Sequence, residues 1–422
     1  MRIVADLHIH SRYSRACSRE MNALSLARWA EIKGVQLLGT GDFTHPCYLA
    51  ELKAELEPTG GGLLRPKKRK NPPYFMLTVE VSNIYRQGGR LRKIHSLLFA
   101  PDFTAVDKIN HQLAKSADLA VDGRPTLTFP AKDLVKIALD ASPDCLVVPA
   151  HAWTPWFSVF GSHSGFDSLE ECFAEEIGHI RAIETGLSSD PAMNWRWPAL
   201  DRLALISNSD AHSPRKLARE ANVLDCEPTY RAVTEAFLSR DPDKFLFTIE
   251  FFPEEGKYHL DGHRNCRVRW RPAETKGRGG LCPVCGGKVT VGVLHRVEEL
   301  ATEPPGRVPA RAVPSRHLVP LEEILAQALG VGPAAKAVSE EYDRLTGLLR
   351  SELYILLDAS AEELKRAATD AVADSVLNIR RENVRVEAGY DGVYGKITAL
   401  SSPVRPSSSS RSEGDIGQLD LL

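Results

Sequence analysis

The sequence predicts an α/β protein: repeated βα units that close, or nearly close, a barrel, then a small second region and a helical third. Three observations predict it. Up to about residue 226, short apolar runs alternate with amphipathic helical stretches. His, Asp and Glu stand at the ends of successive runs, where a barrel gathers its chemistry. Beyond about residue 257 the alternation gives way to a Gly-, Cys- and Arg-rich stretch and then to helical periodicity.

In chain order, "RIVA" is the first strand, and "NALSLARWAEIKG" is a helix that Gly34 closes. "VQLLGT", "MLTVEV", "KIHSLLFA", "DCLVVPA", "IRAIET" and "LALISN" read as further strands, with "PAKDLVKIALDA" and "SLEECFAEEIG" as helices between them. After the proline-rich "EPPGRVPARAVP", the stretches "LEEILAQALG", "KAVSEEYDRLTGLLRSELYILLD" and "SAEELKRAATDAVADSVLNIRREN" read as amphipathic helices. A chain of 422 residues is too long for one core. The expected division is a barrel over 1–250, a small domain over 251–303, an all-helical domain over 304–400 and a compositionally disordered tail over 401–422.

Net charge is −2, so any nucleic-acid contact requires local positive charge. No apolar run is long enough for a bilayer, and Arg2 and Asp6 interrupt the first apolar stretch, so a cytoplasmic, nucleoid-associated monomer is expected. Cys17, Cys47, Cys145, Cys172 and Cys226 are scattered without motif spacing and read as reduced thiols.

"DLHIHS" sets His8 and His10 two residues apart on an extended segment, so both imidazoles project to one side. Asp42 follows the second strand in "GTGDF"; Glu80 lies in "LTVEVS", His95 in "KIHSLLF", His151 after "LVVPA", Glu184 at the end of "AIE", and Asp210 and His212 in "SDAH". Taken singly, each is more often a packed or surface residue, but here all coincide with strand ends. Imidazole and carboxylate suit zinc, manganese or iron, and so many in one mouth imply more than one ion. Neighbouring ions clamp an attacking hydroxide and a phosphoryl oxygen, the chemistry of phosphoester hydrolysis.

A second metal signal is structural. His263-x-x-Cys266 precedes Cys282-x-x-Cys285 by about fifteen residues, and Gly286 and Gly287 follow, the spacing of a zinc ribbon. The His263 assignment competes with His259 and His295. Arg264, Arg267, Arg269, Arg271, Lys276 and Arg278 surround the knuckles and suit a phosphate backbone.

"DLHIHS", the Glu in "VEVS", "HSLLF", "PAH" and "SDAH" resemble the motifs of the polymerase-and-histidinol-phosphatase (PHP) superfamily. That resemblance implies a distorted barrel of seven βα units with two or three divalent metals (zinc, manganese or magnesium). The superfamily's Thr-Asp-His is here Thr40-Gly41-Asp42, which makes Asp42 the replacement ligand, and two metals are safer than three. Glu184 is a ligand of a third ion or, preferably, a partner behind the ligands. With "GKYHLDGHRNC", "CPVCG", "VGVLHRVEELA" and "GYDGVYGKI", the chain resembles the endonuclease Q family up to about residue 397. The resemblance implies DNA nicking 5′ of uracil, hypoxanthine, xanthine or an abasic site, leaving 3′-hydroxyl and 5′-phosphate ends. A histidinol-phosphate type of phosphatase explains the barrel but not the rest; a DNA-binding scaffold with a decayed site is the other rival.

Under this reading Trp153, Trp156, Phe157 and Phe160, with Ser162 or Ser164, wall a pocket for the extruded nucleotide; barrel-rim core is the alternative. Asp210 and His212 act at the metals, and Arg215 and Lys216 hold the scissile phosphate, with a helix-surface role as the alternative. The last five residues, Gln418, Leu419, Asp420, Leu421 and Leu422, place three leucines at the end of a polar tail. They resemble the motif by which bacterial repair proteins dock on the DNA sliding clamp, with Leu422 in place of the usual Phe.

Overall fold

The computed structural model describes residues 1–70 and 72–400. The proposed clamp motif lies outside the described residues. Arg2–Asp6 pairs parallel with Leu37–Gly39, which pairs parallel with Tyr74–Gln87. Leu146–Pro149 continues the wall through Arg90–Ala100, and Ala182–Glu184 and Ala204–Ile206 form a parallel pair. Every predicted strand is present.

The barrel departs from uniform parallel pairing in several places, and the longest departure has a local cause. Tyr74–Gln87 and Arg90–Ala100 form a long antiparallel hairpin, from Leu77↔Ala100 to Gln87↔Arg90. Its turn is Gly88-Gly89, both at positive φ (59° and 73°), the two-residue geometry that suits strand twist and favours glycine. On the other side, Ala221–Asp225 runs antiparallel to the first strand, and Phe245–Glu250 antiparallel to Ala221–Asp225. Ile3, Ala5 and Leu7 share one core cluster with Met76, Phe99, Val148 and Phe237. Phe237 belongs to helix Tyr230–Ser239, and the Tyr230 hydroxyl lies 2.7 Å from the carbonyl of Asp144, just ahead of a barrel strand. This helix therefore closes the end of the barrel opposite the strand termini that carry the polar residues.

Helix Ala23–Lys33 begins at an Asn22 cap, whose side chain accepts from Ser25 N–H, and ends at Gly34 in the left-handed conformation. The second region is a short hairpin, Asp261–His263 with Val268–Trp270, over a small core of Val268, Trp270, Cys282 and Val289. Ser315–His317 then returns to the barrel sheet as an edge strand beside Phe245–Glu250.

The C-terminal part is less uniform than the all-helical expectation. Helices Leu321–Leu329, Lys336–Leu348, Ala361–Ala367 and Asp370–Arg380 are joined by an antiparallel hairpin of Val384–Glu387 with Lys396–Ala399. The long stretch read through Leu348 breaks at Arg350, whose φ is 70°. Thr369 caps a new helix inside the last one. Among the described residues no helix is long and apolar enough to cross a membrane.

Candidate metal centre and its cleft

The ladder is extended past the strand ends by a parallel bridge between Ile9 and Ala211, with His10 N–H donating to Ala211 C=O. This sets the His8–His10 segment beside the Asp210–His212 segment. His8, His10, Glu80 and Asp210 each offer a ligand atom, all within 4.8 Å of one another; Glu80, His95 and His151 form a second such group. Glu80 belongs to both. Its Oε1 lies 2.6 Å from His95 Nδ1 and 3.0 Å from His151 Nε2, while Oε2 lies 3.3 Å from His10 Nε2.

Carboxylates behind the imidazoles orient them. Glu184 lies 3.0 Å from His8 Nδ1 and accepts from His151 N–H and Asn208. Asp42 lies 3.2 Å from His10 Nδ1 and accepts from Ser11 N–H and the Ser14 hydroxyl. With Nδ1 carrying the proton, each ring turns the lone pair of Nε2 to the centre. Asp42 is thus placed behind His10 and outside both ligand groups, in contrast to the ligand role expected for it. His212 is likewise in neither group: its Nδ1 is 2.9 Å from Asp210 C=O, and its ring centroid is 4.5 Å from that of His10.

The donor set fits divalent cations. His8 Nε2, His10 Nε2 and Asp210 Oδ1 are buried without a hydrogen-bond partner yet face one another. Orphaned polar atoms at such depth are costly unless a charge satisfies them. The electrostatics agree. Burial pulls the His8 and His10 imidazoles down, but Glu184, Asp210, Glu80 and Asp42 hold them well above the ordinary range. Burial also opposes ionisation of Glu80 and Asp210, yet the surrounding imidazoles, with Arg124 beside Glu80, hold both carboxyls below theirs. A bound cation would take the place of those protons. Asp42, His151 and Asp210 sit at φ 45°, 30° and 47°, backbone strain held by the surrounding packing.

The centre opens into a cleft of about 700 Å³. The sequence-predicted residues divide there. Trp156, Phe157 and Lys216 line it, with His95, His151, Glu184, Asp210 and His212. Trp153 (1% exposed) and Phe160 (0%) do not. Their rings pack 4.8 Å apart in the core, and Trp153 Nε1 donates to Asn194. Ser164 is buried too, its hydroxyl accepting from Phe157 N–H, and Ser162 donates to Val291 C=O. Arg215 points elsewhere: it pairs with Glu322 on the first C-terminal helix and lies over the Trp29 ring.

Several lining residues escaped the sequence reading. Arg124 Nη1 lies 2.9 Å from Glu80 Oε2, on a loop whose Gly123 packs so close to Asp42 and Ser14 that a Cβ would collide with both. Arg219 donates to Ser209 C=O, and Lys257, Tyr258 and Tyr394 come from beyond the barrel. Lys257 and Tyr258 lie in the quoted motif "GKYHLDGHRNC" and Tyr394 in "GYDGVYGKI", but none is marked there as a cleft residue. Isolated basic residues in turns, such as Arg124 and Arg219, have no periodicity to mark them.

The ribbon's four residues meet as one group, His263 with Cys266, Cys282 and Cys285. His295 is instead engaged by Asp261 at 2.6 Å, and His259 is buried apart.

A family model described as the MJ0043 C-terminal domain matches residues 320–383. The protein MJ0043 of Methanocaldococcus jannaschii is 31% identical over 258 residues, 59% of this chain; the chain spans only 31% of that relative's length. YqxK of Bacillus subtilis is 29% identical over 413 residues, covering 94% of this chain and 99% of YqxK. Among solved structures, the lesion-specific endonuclease PfuEndoQ of Pyrococcus furiosus matches with a TM-score of 0.85 and 30% identity, covering 98% of this chain and all of that one. Endonuclease Q in complex with a 27-mer duplex bearing an abasic lesion at its active site matches with the same TM-score and identity, over 97% of this chain and 100% of that one.

Proposed function

The chain belongs to the endonuclease Q family, and from that premise we propose that it is a metal-dependent endonuclease that nicks DNA on the 5′ side of a damaged nucleotide. The damage is a deaminated base (uracil, hypoxanthine or xanthine) or an abasic site, and the products are 3′-hydroxyl and 5′-phosphate ends. The observation that carries this reading is the make-up of the cleft. Its floor is the paired ligand groups sharing Glu80, while Lys257, Tyr258 and Tyr394 bring the second and third regions to its rim. A small-ester phosphatase has no use for those additions, and a decayed scaffold would not keep orphaned ligand atoms aimed at one point.

His8, His10, Glu80 and Asp210 would hold one divalent cation, and Glu80, His95 and His151 a second. Such a pair, when bound, supplies an activated water and a clamp on the phosphoryl oxygens. The chain's own residues do the rest. Asp42 and Glu184 hold the tautomers of His10 and His8. Lys216 brings positive charge to the cleft for the scissile phosphate, the role expected of it together with Arg215, and Arg124 lines the cleft where Arg215 does not. Trp156 and Phe157 offer ring faces to the extruded nucleotide. In the ribbon the ligand set suits zinc, and its place is structural. The tail residues Gln418 to Leu422 dock on the sliding clamp through leucines and raise the enzyme's local concentration on DNA.

Labelled duplexes carrying uracil, hypoxanthine, an abasic site or no lesion, incubated with protein and manganese or magnesium, test the reading. A lesion-dependent 5′ nick is expected. Phosphate release from small esters alone, or no turnover at all, would overturn it.

A further inference from the structure

The loop "GYDGVYG", residues 389–395, has no place in the metal chemistry, yet it joins the two strands of the C-terminal hairpin and is fastened at three glycines to the segment 254–257. Gly389 N–H donates to Glu254 C=O (2.7 Å), Gly392 N–H to Lys257 C=O (2.8 Å) and Gly395 N–H to Glu255 C=O (2.9 Å). A Cβ on Gly389 or Gly395 would collide with the backbone of Gly256 or Glu254, so only glycine allows that approach. Asp391 ties the loop to the ribbon, accepting from Arg264 N–H and from the Thr290 hydroxyl, each at 2.7 Å. All this fixing leaves two apolar side chains of the loop in water, Val393 and the larger Tyr394. Tyr394 is 58% exposed and lines the same cleft as Asp210 and His212.

Its neighbours are chosen for nucleic acid. The Lys257 ammonium lies 5.8 Å from the Tyr394 ring centroid and 5.5 Å from that of Tyr258, and Tyr258 meets Trp156 edge-on at 5.4 Å. A rigidly mounted aromatic ring binds at little entropic cost, and every base offers a π-face to it. A cation between two rings is placed for the phosphate that follows a stacked base.

We propose that Tyr394 is a stacking platform for the nucleobase next to the extruded nucleotide, with Lys257 on the adjoining phosphate. This rests on the endonuclease reading and assigns the loop the task of holding the helix open beside the lesion. The ring contacts an undamaged neighbour, so its contribution is the same for every lesion.

The test is fluorescence anisotropy with the full-length protein and its metals, on duplexes whose linkage at the nick site is non-hydrolysable. Tyr394→Ala should weaken binding about tenfold, within the range of a lost base stack, equally for abasic and uracil duplexes. Tyr394→Trp should restore it. Replacing the 5′ or the 3′ neighbour of the lesion with a base-less spacer should abolish the difference between wild type and Tyr394→Ala for one of the two. Equal binding by wild type and Tyr394→Ala overturns the proposal, as does a loss that persists with both spacers. A lower melting temperature with unchanged affinity overturns it too and assigns the ring to loop packing. If wild type itself shows no preference for a lesion, the endonuclease reading fails; if that preference stands and Tyr394→Ala is silent, only this assignment fails.

Discussion

Asp42 acts on the proposed centre through His10. Its carboxylate accepts from Ser11 N–H at 2.6 Å and from the Ser14 hydroxyl at 2.8 Å, and faces the Nδ1 proton of His10. Asp42→Asn sets an amide N–H against one of those donors. Metal affinity should fall about 10- to 100-fold, measured by titrating the stripped protein. The double variant Asp210→Asn, His212→Ala should keep its melting profile and lose nicking; full activity would remove this centre as the active site. Glu250 carries a pH prediction. Ser207 and Thr185 donate to its carboxylate, and burial pushes its pKa from 4.5 to about 8. Asp190 adds to that rise and His317 opposes it, while Glu220, also raised, lies close by. A folded pKa above the unfolded one means that Glu250's contribution is complete below about pH 4.5 and lost as pH rises through about 8. Glu250→Gln should therefore flatten the decline of melting temperature across that window, and a variant that declines in parallel with wild type refutes the assignment. His8, His10, His151 and Asp210 were legible in the sequence because each follows the end of a strand. Glu80 and His95, expected at strand ends, sit instead in the middle of the long hairpin strands Tyr74–Gln87 and Arg90–Ala100 and were marked by their motifs alone. What sequence cannot give is direction. Trp153 and Trp156 read alike in "AWTPWF", but one turns into the core and the other into the cleft.

Among elements, those with strong local signals were the legible ones. Asn22 and Gly34 bracket a helix that the structure ends within a residue of them. Gly88-Gly89, between two apolar-rich runs, is an equally local signal, that of a two-residue hairpin turn. Val384–Glu387 and Lys396–Ala399 were hidden because their apolar–polar alternation runs for only four residues each and most of their side chains are not buried. The ribbon leans on its ligands in a way that makes a prediction. A core of Val268, Trp270, Cys282 and Val289 is too small to hold a fold by apolar burial. Cys285→Ser, or a chelator, should raise amide exchange across residues 261–290 towards that of unfolded chain, with the barrel strands still protected. Because Thr290 and Arg264 anchor Asp391, exchange in residues 389–395 should rise with it. Protection retained throughout would mean that the ribbon stands without an ion.

For the molecule as a whole, the first and last thirds of the chain are joined through a buried charge. Lys33 ends the first barrel helix, where a cation reads as ordinary compensation for the helix dipole. Nothing in the sequence marks its partner, which is 319 positions away. In the structure its Nζ lies 2.5 Å from Glu352 Oε2, with both side chains at least nine-tenths buried. Glu352 also accepts from Tyr342 Oη at 2.6 Å and Leu321 N–H at 3.1 Å, so one carboxylate gathers two C-terminal helices onto the barrel. Arg2 with Asp358, Arg215 with Glu322 and Lys216 with Glu323 cross the same boundary nearer to solvent, and pairs of that kind contribute little each. The buried pair is the one of these whose half-removal should be felt most. Removing one partner leaves an uncompensated ammonium away from water, so Glu352→Ala should cost about 3–5 kcal/mol in denaturant unfolding. The combined Lys33→Met, Glu352→Leu replacement should recover most of that loss, because it removes both desolvation penalties and leaves apolar groups of similar size. Lys216 lines the cleft and meets Glu323 on the same docked helix, so Glu352→Ala should also weaken lesion-duplex binding, and the double replacement should restore it. A Glu352→Ala protein within about 1 kcal/mol of wild type would show that apolar packing, not the charge pair, holds the two parts together.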